Sequence, residues 1–464
     1  MTATDIAPEM RRSLDRLEIG SDSLGLQRIV IGSNALDRLS AEVADATGTG
    51  PVVVLEDRTP MQRGGEDLKL MINNSLVSGG TDVKRVVLGA EGRALHADET
   101  TLSEARDVVG GAGCVVTVGS GTVTDIGKDA SYANGGIPLV VVQTAASVNG
   151  YSDDMAVVLK DGVKRTTPSV WPTSLLIDTR ILQDAPGDMT ASGYAEMMAM
   201  FSAPADWLLS SVVGLDADYH QGIVDLYRPM GPDLLASATS LGEGSGPAIE
   251  LLATLLAFSG IAMGVAGRTA PLSGTEHLIS HLIDMSSKSM GMATGLHGAQ
   301  VGVGAVIATV AWNRLFERVD PEQILTLKRR EAEKSIASAF DWLDRTGAAS
   351  AECWADYQQK LARWSEAWRS IDLAQRWEKS LPSLRSMVGD PDKIIKALVQ
   401  AGAPTRFSEL DPPVDRERAR WAVGSAHLMR NRFTILDLAT FTGNWNVDDV
   451  DDVMEHASEL GGGW

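Results

Sequence analysis

The sequence predicts an α/β + α architecture: an N-terminal parallel-sheet domain over residues 1–186 and a C-terminal all-α domain over residues 187–464. Two observations carry this. From Pro51 onward, short β-branched runs alternate with polar helical stretches, as in strands buried on both faces of a parallel sheet. Past the breaker Asp184-Ala185-Pro186-Gly187 those runs cease and helical periodicity takes over.

The predicted strands are Val52–Leu55 (VVVL), Val86–Leu88, Val115–Val118 (VVTV) and Leu139–Val142 (LVVV), with Asp98–Val109 as an intervening helix. Glu56 and Asp57 follow the first strand directly. An acid there holds the ribose hydroxyls of a dinucleotide and favours NAD over NADP, a preference that Arg58 beside them weakens. A stronger signal is VTVGSGTVTDIGK, Val116 to Lys128. Gly119 and Gly121 let the backbone approach a ligand closely, and Thr122, Val123, Thr124 and Asp125 open a helix whose free amides attract phosphate. The third glycine of the usual fingerprint is missing, and a lone G-S-G is more commonly a tight turn. The next strand runs into QTAASVNGYSDD, Gln143 to Asp154, a polar loop where open α/β sheets bind ligands. Together the two corners predict a dinucleotide crevice.

In the helical half, Glu196 stands among Tyr194, Met197 and Met198. A carboxylate on so apolar a face is costly unless a cation, a salt bridge or a solvated edge compensates. Leu251 to Gly267 holds 17 uncharged residues, bounded by Glu250, and reads as a buried helix at the bottom of the membrane-spanning range. Three of the seven histidines, His277, His281 and His297, fall between Pro271 and Gly304. His277 and His281 share one helical face, and His297 opens the next element between Gly295 and Gly298. An i,i+4 pair is commonly an ordinary core or surface feature; joined by a third histidine it is also a way to hold a divalent cation. Trp342, Trp354, Trp364, Trp368 and Trp377 have spacings that suit helix packing, and Arg430–Ala439 reads as a final apolar helix or strand-like plug. The acidic tail VDDVDDVMEHASELGGGW reads as solvated, partly helical surface.

The formal charge of -20 disfavours nucleic acid and anionic membranes as partners and points to a small-molecule substrate. Any phosphate must then be met by local cations, of which Lys164 and Arg165 are the nearest. Cys114 and Cys353 lie in unrelated contexts, which suits a reducing cytoplasm, and the first 20 residues lack the apolar core of a signal peptide.

Seven motifs fall in order: Gly-Ser-Gly-x-x-x-Asp-x-x-Lys at 119–128, Thr-x-x-Ser-x-Asn-Gly at 144–150, Gly-x-x-Glu at 193–196, Ser-Gly-x-Glu-His-x-x-Ser-His at 273–281, His-Gly-x-x-Val-Gly at 297–302, Ala-Gly-Ala-Pro-Thr at 401–405 and Arg-x-Arg-Phe-Thr-Ile-Leu-Asp-Leu at 430–438. The set, spanning roughly residues 25 to 440, resembles the sn-glycerol-1-phosphate dehydrogenases, within the superfamily of glycerol dehydrogenase, iron-containing alcohol dehydrogenases and 3-dehydroquinate synthase. The resemblance implies a dehydroquinate synthase-like fold, with a Rossmann-like domain, an all-α domain and the active site in the cleft between them. It implies NAD or NADP at Gly119, Gly121, Thr122, Val123, Thr124, Asp125, Thr144, Ser147 and Asp153. It places one divalent metal on Glu196, His277 and His297, and substrate contacts on Asn149, Glu196 and His281; Met200 leaves three protein ligands, which favours zinc, with iron or nickel as alternatives. The implied activity interconverts a secondary alcohol, a polyol phosphate, and a ketone such as dihydroxyacetone phosphate, in a cytoplasmic homo-oligomer serving phospholipid metabolism. The alternatives are an NAD-dependent sugar-phosphate cyclase and a degenerate nucleotide-binding homologue. Four departures bear on the choice: Asn149 stands where the family has Asp, Glu196 where it usually has Asp, Met200 where relatives have Lys or His, and Asp153 where Ser is usual.

Overall fold

The computed structural model describes residues 3–160, 163–325, 329–343 and 346–464, apart from the side chains at 160, 163 and 164. It forms two compact units, Met1–Gly193 with Gly222–Arg268, and Tyr194–Gln221 with Thr269–Trp464.

The first unit is built on a seven-stranded sheet. Its strands are β1 (Thr4–Asp5), β2 (Arg28–Gly32), β3 (Val52–Glu56), β4 (Val83–Val87), β5 (Cys114–Gly119), β6 (Leu139–Gln143) and, beyond the hairpin β7 (Met155–Lys160) and β8 (Val163–Pro168), β9 (Ser174–Asp178). The order is β1-β2-β9-β6-β5-β3-β4, all parallel except the β1–β2 edge. Valines of β3, β5 and β6 are buried on both faces, which is why these strands read as unbroken apolar runs. β2 and β9, which the sequence reading did not single out, complete the sheet. Helices α1 (Glu99–Val109), capped by Asp98, and α2 (Gly121–Ala133) are this unit's crossovers before and after β5. Beyond β9 come α3 (Thr179–Asp184) and α4 (Gly187–Glu196).

The helical segment Gly222–Arg268 belongs to the α/β unit, unlike a single division at 186/187. Its long helix, α5 (Gly246–Ala266), carries Glu250 near its start, is apolar on every side beyond it, and is mostly buried. Two glycines fix what it packs against. A Cβ on Gly260 would sit 2.2 Å from Ser152 Oγ and 2.4 Å from the Asn149 carbonyl oxygen, and one on Gly264 would sit 2.3 Å from the Trp171 ring. The helix is therefore the floor beneath the Gln143–Asp154 loop.

The second unit is helical. Its centre is the antiparallel-type pair α6 (Thr275–Ser289) and α7 (His297–Arg318), the latter buried almost throughout. α8 (Ala348–Ser370) buries Trp364, which stacks on Phe441 at 4.8 Å and Phe433 at 5.3 Å. Trp377 likewise packs on Phe316, whereas Trp342 is 46% exposed with its edge on Trp421. The fully buried Lys360 ammonium is satisfied by the carbonyls of His427 (2.5 Å) and Arg432 (3.0 Å) and by Asp437 (2.7 Å). Asp437 also closes a capping box with Thr434 at the start of α9 (Ile435–Phe441), so the Arg430–Ala439 stretch is a helix. The acidic tail departs from its solvated reading. Residues of α10 (Val447–Glu459) bury Val450, Val453, Met454 and Ala457 and dock on α7, and its acids pair with Arg314, Arg318 and Arg420. The alternation of DDVDDV hides one apolar helical face among acids.

Two predictions follow from this packing. Gly260→Ala must displace either α5 or the Asn149 backbone, so it should destabilise the chain by about 1–3 kcal/mol, read as a lowered urea midpoint. His427 is buried and close to the Lys360 ammonium, which together push its pKa down to about 3. The unfolded chain takes up a proton there near the ordinary histidine value while the folded chain does not, so stability falls as pH drops from that value towards about 3. Between pH 7 and pH 5 the loss attributable to His427 should be about 2 kcal/mol, and His427→Asn should flatten the acid limb of the urea midpoint by that amount.

Candidate functional site

Three donors converge in the second unit. Glu196 ends α4, His277 lies in the first turn of α6, and His297 is the first residue of α7. One ligand atom from each falls within 4.8 Å of the other two. His277 Nε2 is 3.2 Å from Glu196 Oε1, and His297 Nε2 is 3.9 Å from Glu196 Oε2. Glu196 is 2% exposed, so the compensation its apolar surroundings demand is supplied by imidazoles.

The sequence around each donor explains the convergence. A Cβ on Gly302 would lie 2.6 Å from Ala195 Cβ, and one on Gly304 would lie 2.7 Å from the Glu276 carbonyl. These two glycines let α7 press against the residues preceding Glu196 and His277, bringing the start of α7 to both. Gly193 does the same within the first unit: a Cβ there would overlap the Ala146 carbonyl at 1.9 Å, so α4 lies directly on the Thr144–Ser147 loop.

Both imidazoles are held by their other nitrogen. His277 Nδ1 donates to Glu276 Oε1 at 2.9 Å, and His297 Nδ1 meets Ser280 Oγ at 3.0 Å. Ser280 donates in turn to Gln300 Oε1 (2.8 Å), whose Nε2 donates to Asp284 (3.1 Å). Fixing Nδ1 leaves Nε2 facing the cluster, the arrangement found around metal-binding histidines. Burial opposes a charge on His277, but Glu196 and Glu276 outweigh it and push its pKa up to about 9. Carboxylates that hold a proton so firmly favour any cation in its place. The donor set, two imidazole nitrogens and a carboxylate, is that of a divalent transition ion.

Buried acids and hydroxyls brace His277 from behind. Glu276 is fully buried; its Oε1 also accepts the Gly274 amide (2.6 Å) and its Oε2 the Ser202 hydroxyl (2.7 Å). Asp206 accepts the Thr275 amide (2.8 Å), the Thr275 hydroxyl (2.9 Å) and the Ile435 amide (2.9 Å). Arg432 donates to the Ser273 hydroxyl (2.6 Å), the Ser273 carbonyl and the Thr269 hydroxyl (2.5 Å). The motifs at 273–281 and 430–438 thus meet in space. Asp206, Ser202, Glu276, Ser280 and Gln300 were not chosen from sequence; only Glu276 and Ser280 carried a signal, each standing directly before a chosen histidine. His281 lies beside the cluster, its ring stacked on His297 at 5.6 Å and 6.3 Å from that of His277.

The first unit holds the other expected residues. β5 ends at Gly119, Ser120 is the N-cap of α2 and gives no side-chain cap, and Gly121, Thr122, Val123, Thr124 and Asp125 form the opening of the helix. Its first amides therefore have no partner within the helix. A Cβ on Gly119 would strike Val123 at 2.4 Å, and one on Gly121 would strike Val148 at 2.8 Å, which ties this corner to the second loop. Thr144, Ser147 and Asn149 lie in that loop and are buried. Asp153 faces Lys128: the fully buried ammonium pairs with Asp153 and donates to the carbonyls of Gly150 (2.5 Å) and Met155 (3.1 Å). Burial raises the Asp153 pKa and Lys128 opposes the rise. Met200 is wholly buried. Arg165 is half-buried on β8, and the Lys164 side chain lies outside the described residues.

Residues 30–186 match the family model described as iron-containing alcohol dehydrogenase. The protein named glycerol-1-phosphate dehydrogenase (NAD(P)+) in Bacillus velezensis is 29% identical over 321 residues, 66% of this chain and 78% of its own length. Its namesake in Bacillus licheniformis is 26% identical over 438 residues, 94% of each chain. Among solved structures, a probable glycerol dehydrogenase from Sinorhizobium meliloti shares the fold with a TM-score of 0.60 at 16% identity, over 94% of this chain and 98% of that one. Glycerol dehydrogenase from Schizosaccharomyces pombe does so with a TM-score of 0.58 at 15% identity, over 94% and 90%. The likeness seen in the ordered motifs therefore holds in sequence and in fold: this chain resembles the glycerol-1-phosphate dehydrogenases of the iron-containing alcohol dehydrogenase superfamily.

Proposed function

We propose that this chain is a metal-dependent, NAD(P)-linked oxidoreductase that interconverts a secondary alcohol and its ketone, with glycerol 1-phosphate and dihydroxyacetone phosphate as the substrate pair. The observation that carries the metal chemistry is the convergence of Glu196, His277 and His297 with both imidazoles anchored through Nδ1. The relatives named glycerol-1-phosphate dehydrogenase support the substrate class.

Glu196 Oε atoms and the Nε2 atoms of His277 and His297 would hold the ion. Zinc is the ion we assign, because three N and O donors, with no fourth side chain joining them among the described residues, leave coordination open to a substrate oxygen. Iron and nickel accept the same donors. When bound, the ion supplies Lewis acidity at the substrate oxygen and the nicotinamide supplies the hydride acceptor. Glu276 and Ser280 hold the two imidazoles in orientation. His281 is assigned the proton of the substrate hydroxyl, which an imidazole can accept and return. Asn149 is assigned a hydrogen bond to a substrate hydroxyl; an amide can orient that group but cannot take its proton. Amides at the start of α2 would bind the pyrophosphate of the dinucleotide.

The assay is reduction of dihydroxyacetone phosphate by NADH or NADPH on zinc-loaded protein. Net loss of absorbance is expected, and its absence with every ketone offered would exclude the dehydrogenase reading. His277→Ala and His297→Ala should each lose stoichiometric metal and activity together; full metal content in either would remove it from the ligand set. Glu276→Gln keeps the shape but removes the charge behind His277, so metal affinity should fall about 10–100-fold, as measured by chelator competition.

A further inference from the structure

The glycine corner leaves one end of the dinucleotide unaddressed, and the neighbouring strand answers for it. β3 runs parallel to β5 with Glu56 in register with Val118, so residues 57 and 58 emerge at the same sheet edge as Gly119. In open α/β sheets the end of the strand beside the phosphate corner faces the adenosine ribose. An acid there binds both ribose hydroxyls; a cation there accommodates a 2′-phosphate.

Both acids at this edge are already engaged. Glu56 is 2% exposed, and its Oε1 receives Arg85 Nη2 at 2.5 Å. Asp57 is folded back on its own turn. Its Oδ1 accepts the Thr59 amide (3.1 Å) and the Lys69 ammonium (3.3 Å), and its Oδ2 accepts the Thr59 hydroxyl (2.7 Å). Lys69 is itself fixed by the carbonyls of Asp57 (2.5 Å) and Thr59 (2.7 Å), so this arrangement is braced from three directions. Glu56 is buried, and Asp57 already accepts three hydrogen bonds, so neither carboxylate is presented to a ribose diol.

Arg58 is the opposite case. It is exposed, its Nε donates to the Gly89 carbonyl at 3.2 Å just beyond β4, and among the described residues no carboxylate lies within ion-pair distance of it. Anchoring Nε fixes the plane of the guanidinium and leaves its two terminal nitrogens for a bidentate oxyanion. We infer that Arg58 receives the 2′-phosphate of NADP(H), making NADPH the preferred reductant of this chain. The inference rests on the reading of the Gly119–Asp125 corner as a dinucleotide site, and it reverses the preference that Glu56 and Asp57 suggest in sequence.

Binding of NADPH and NADH to the full chain, followed by nicotinamide fluorescence at low and moderate salt, tests it. NADPH should bind about tenfold more tightly than NADH, with the advantage shrinking as salt rises. In Arg58→Ala the NADPH-to-NADH affinity ratio should collapse towards one, and Arg58→Lys should restore part of it. Adenosine 2′,5′-bisphosphate should compete with NADPH better than ADP does, and lose that margin in Arg58→Ala. Equal or tighter binding of NADH by the unmodified chain, or an unchanged ratio in Arg58→Ala, overturns the assignment of Arg58 alone. Failure of both dinucleotides to bind overturns the glycine corner as well.

Discussion

Two carboxylates buried side by side at the start of α6 are the constraint on which the Glu196–His277–His297 cluster depends. Asp206 is 1% exposed and Glu276 is wholly buried, and like charges so placed are costly unless each is richly hydrogen-bonded. Burial and the neighbouring Glu276 push the Asp206 pKa up to about 7. Burial acts on Glu276 in the same direction, but His277, the Gly274 amide and the Ser202 hydroxyl outweigh it and hold its pKa below the ordinary range. The asymmetry is useful. The charge stays on the carboxylate that touches His277, while Asp206 takes hydrogen bonds from Thr275 and Ile435 and so fixes where α6 begins.

That fixed beginning accounts for motifs that carry no chemistry of their own. Gly274 leaves no room for a side chain: a Cβ there would be 2.6 Å from Asp206 Oδ2 and 2.9 Å from Ala203 Cα. The Arg-x-Arg-Phe-Thr-Ile-Leu stretch is far away in sequence, yet Arg432 grips Ser273 and the Ile435 amide reaches Asp206. Gly302 and Gly304 set the approach of α7 from the other side. The placement of the three donors is thus a property of backbone contacts and buried acids, with the donors themselves at the end of the chain of causes.

What could be read from the sequence follows from the range of the interactions involved. The buried strands β3, β5 and β6 were legible because burial on both faces writes an unbroken apolar run; β9 was not, because its apolar run is only Leu175–Ile177, between Ser174 and Asp178. The helix Gly246–Ala266 was legible as buried, but an apolar surface does not say what it faces, so its place beneath the Gln143–Asp154 loop was not. His277, His281 and His297 were legible because they crowd into one stretch. Their supports were not, since Asp206 and Ser202 lie about seventy residues away from α6 and nothing local marks them. The acidic tail misled because six acids outnumber the four buried apolar residues of the same helix.

The departure at Asp153 yields to the same kind of reasoning. The Gly-Ser-Gly motif ends in Lys128, and in this fold that ammonium is fully buried beneath the loop that follows β6. Carbonyls of Gly150 and Met155 can solvate it but cannot neutralise it. A buried ammonium without a counter-ion loses its proton or destabilises the fold. A serine at 153 would leave neutralisation to another group; an aspartate does it within the loop itself, joining α2 to the strand that begins at Met155. The carboxylate at 153 is therefore explained by the lysine it faces, and the loop carrying Thr144, Ser147 and Asn149 is held by an internal ion pair, independently of any ligand. A loop held in this way is ordered by its own residues, so a ligand bound there would not have to supply the ordering entropy of its backbone.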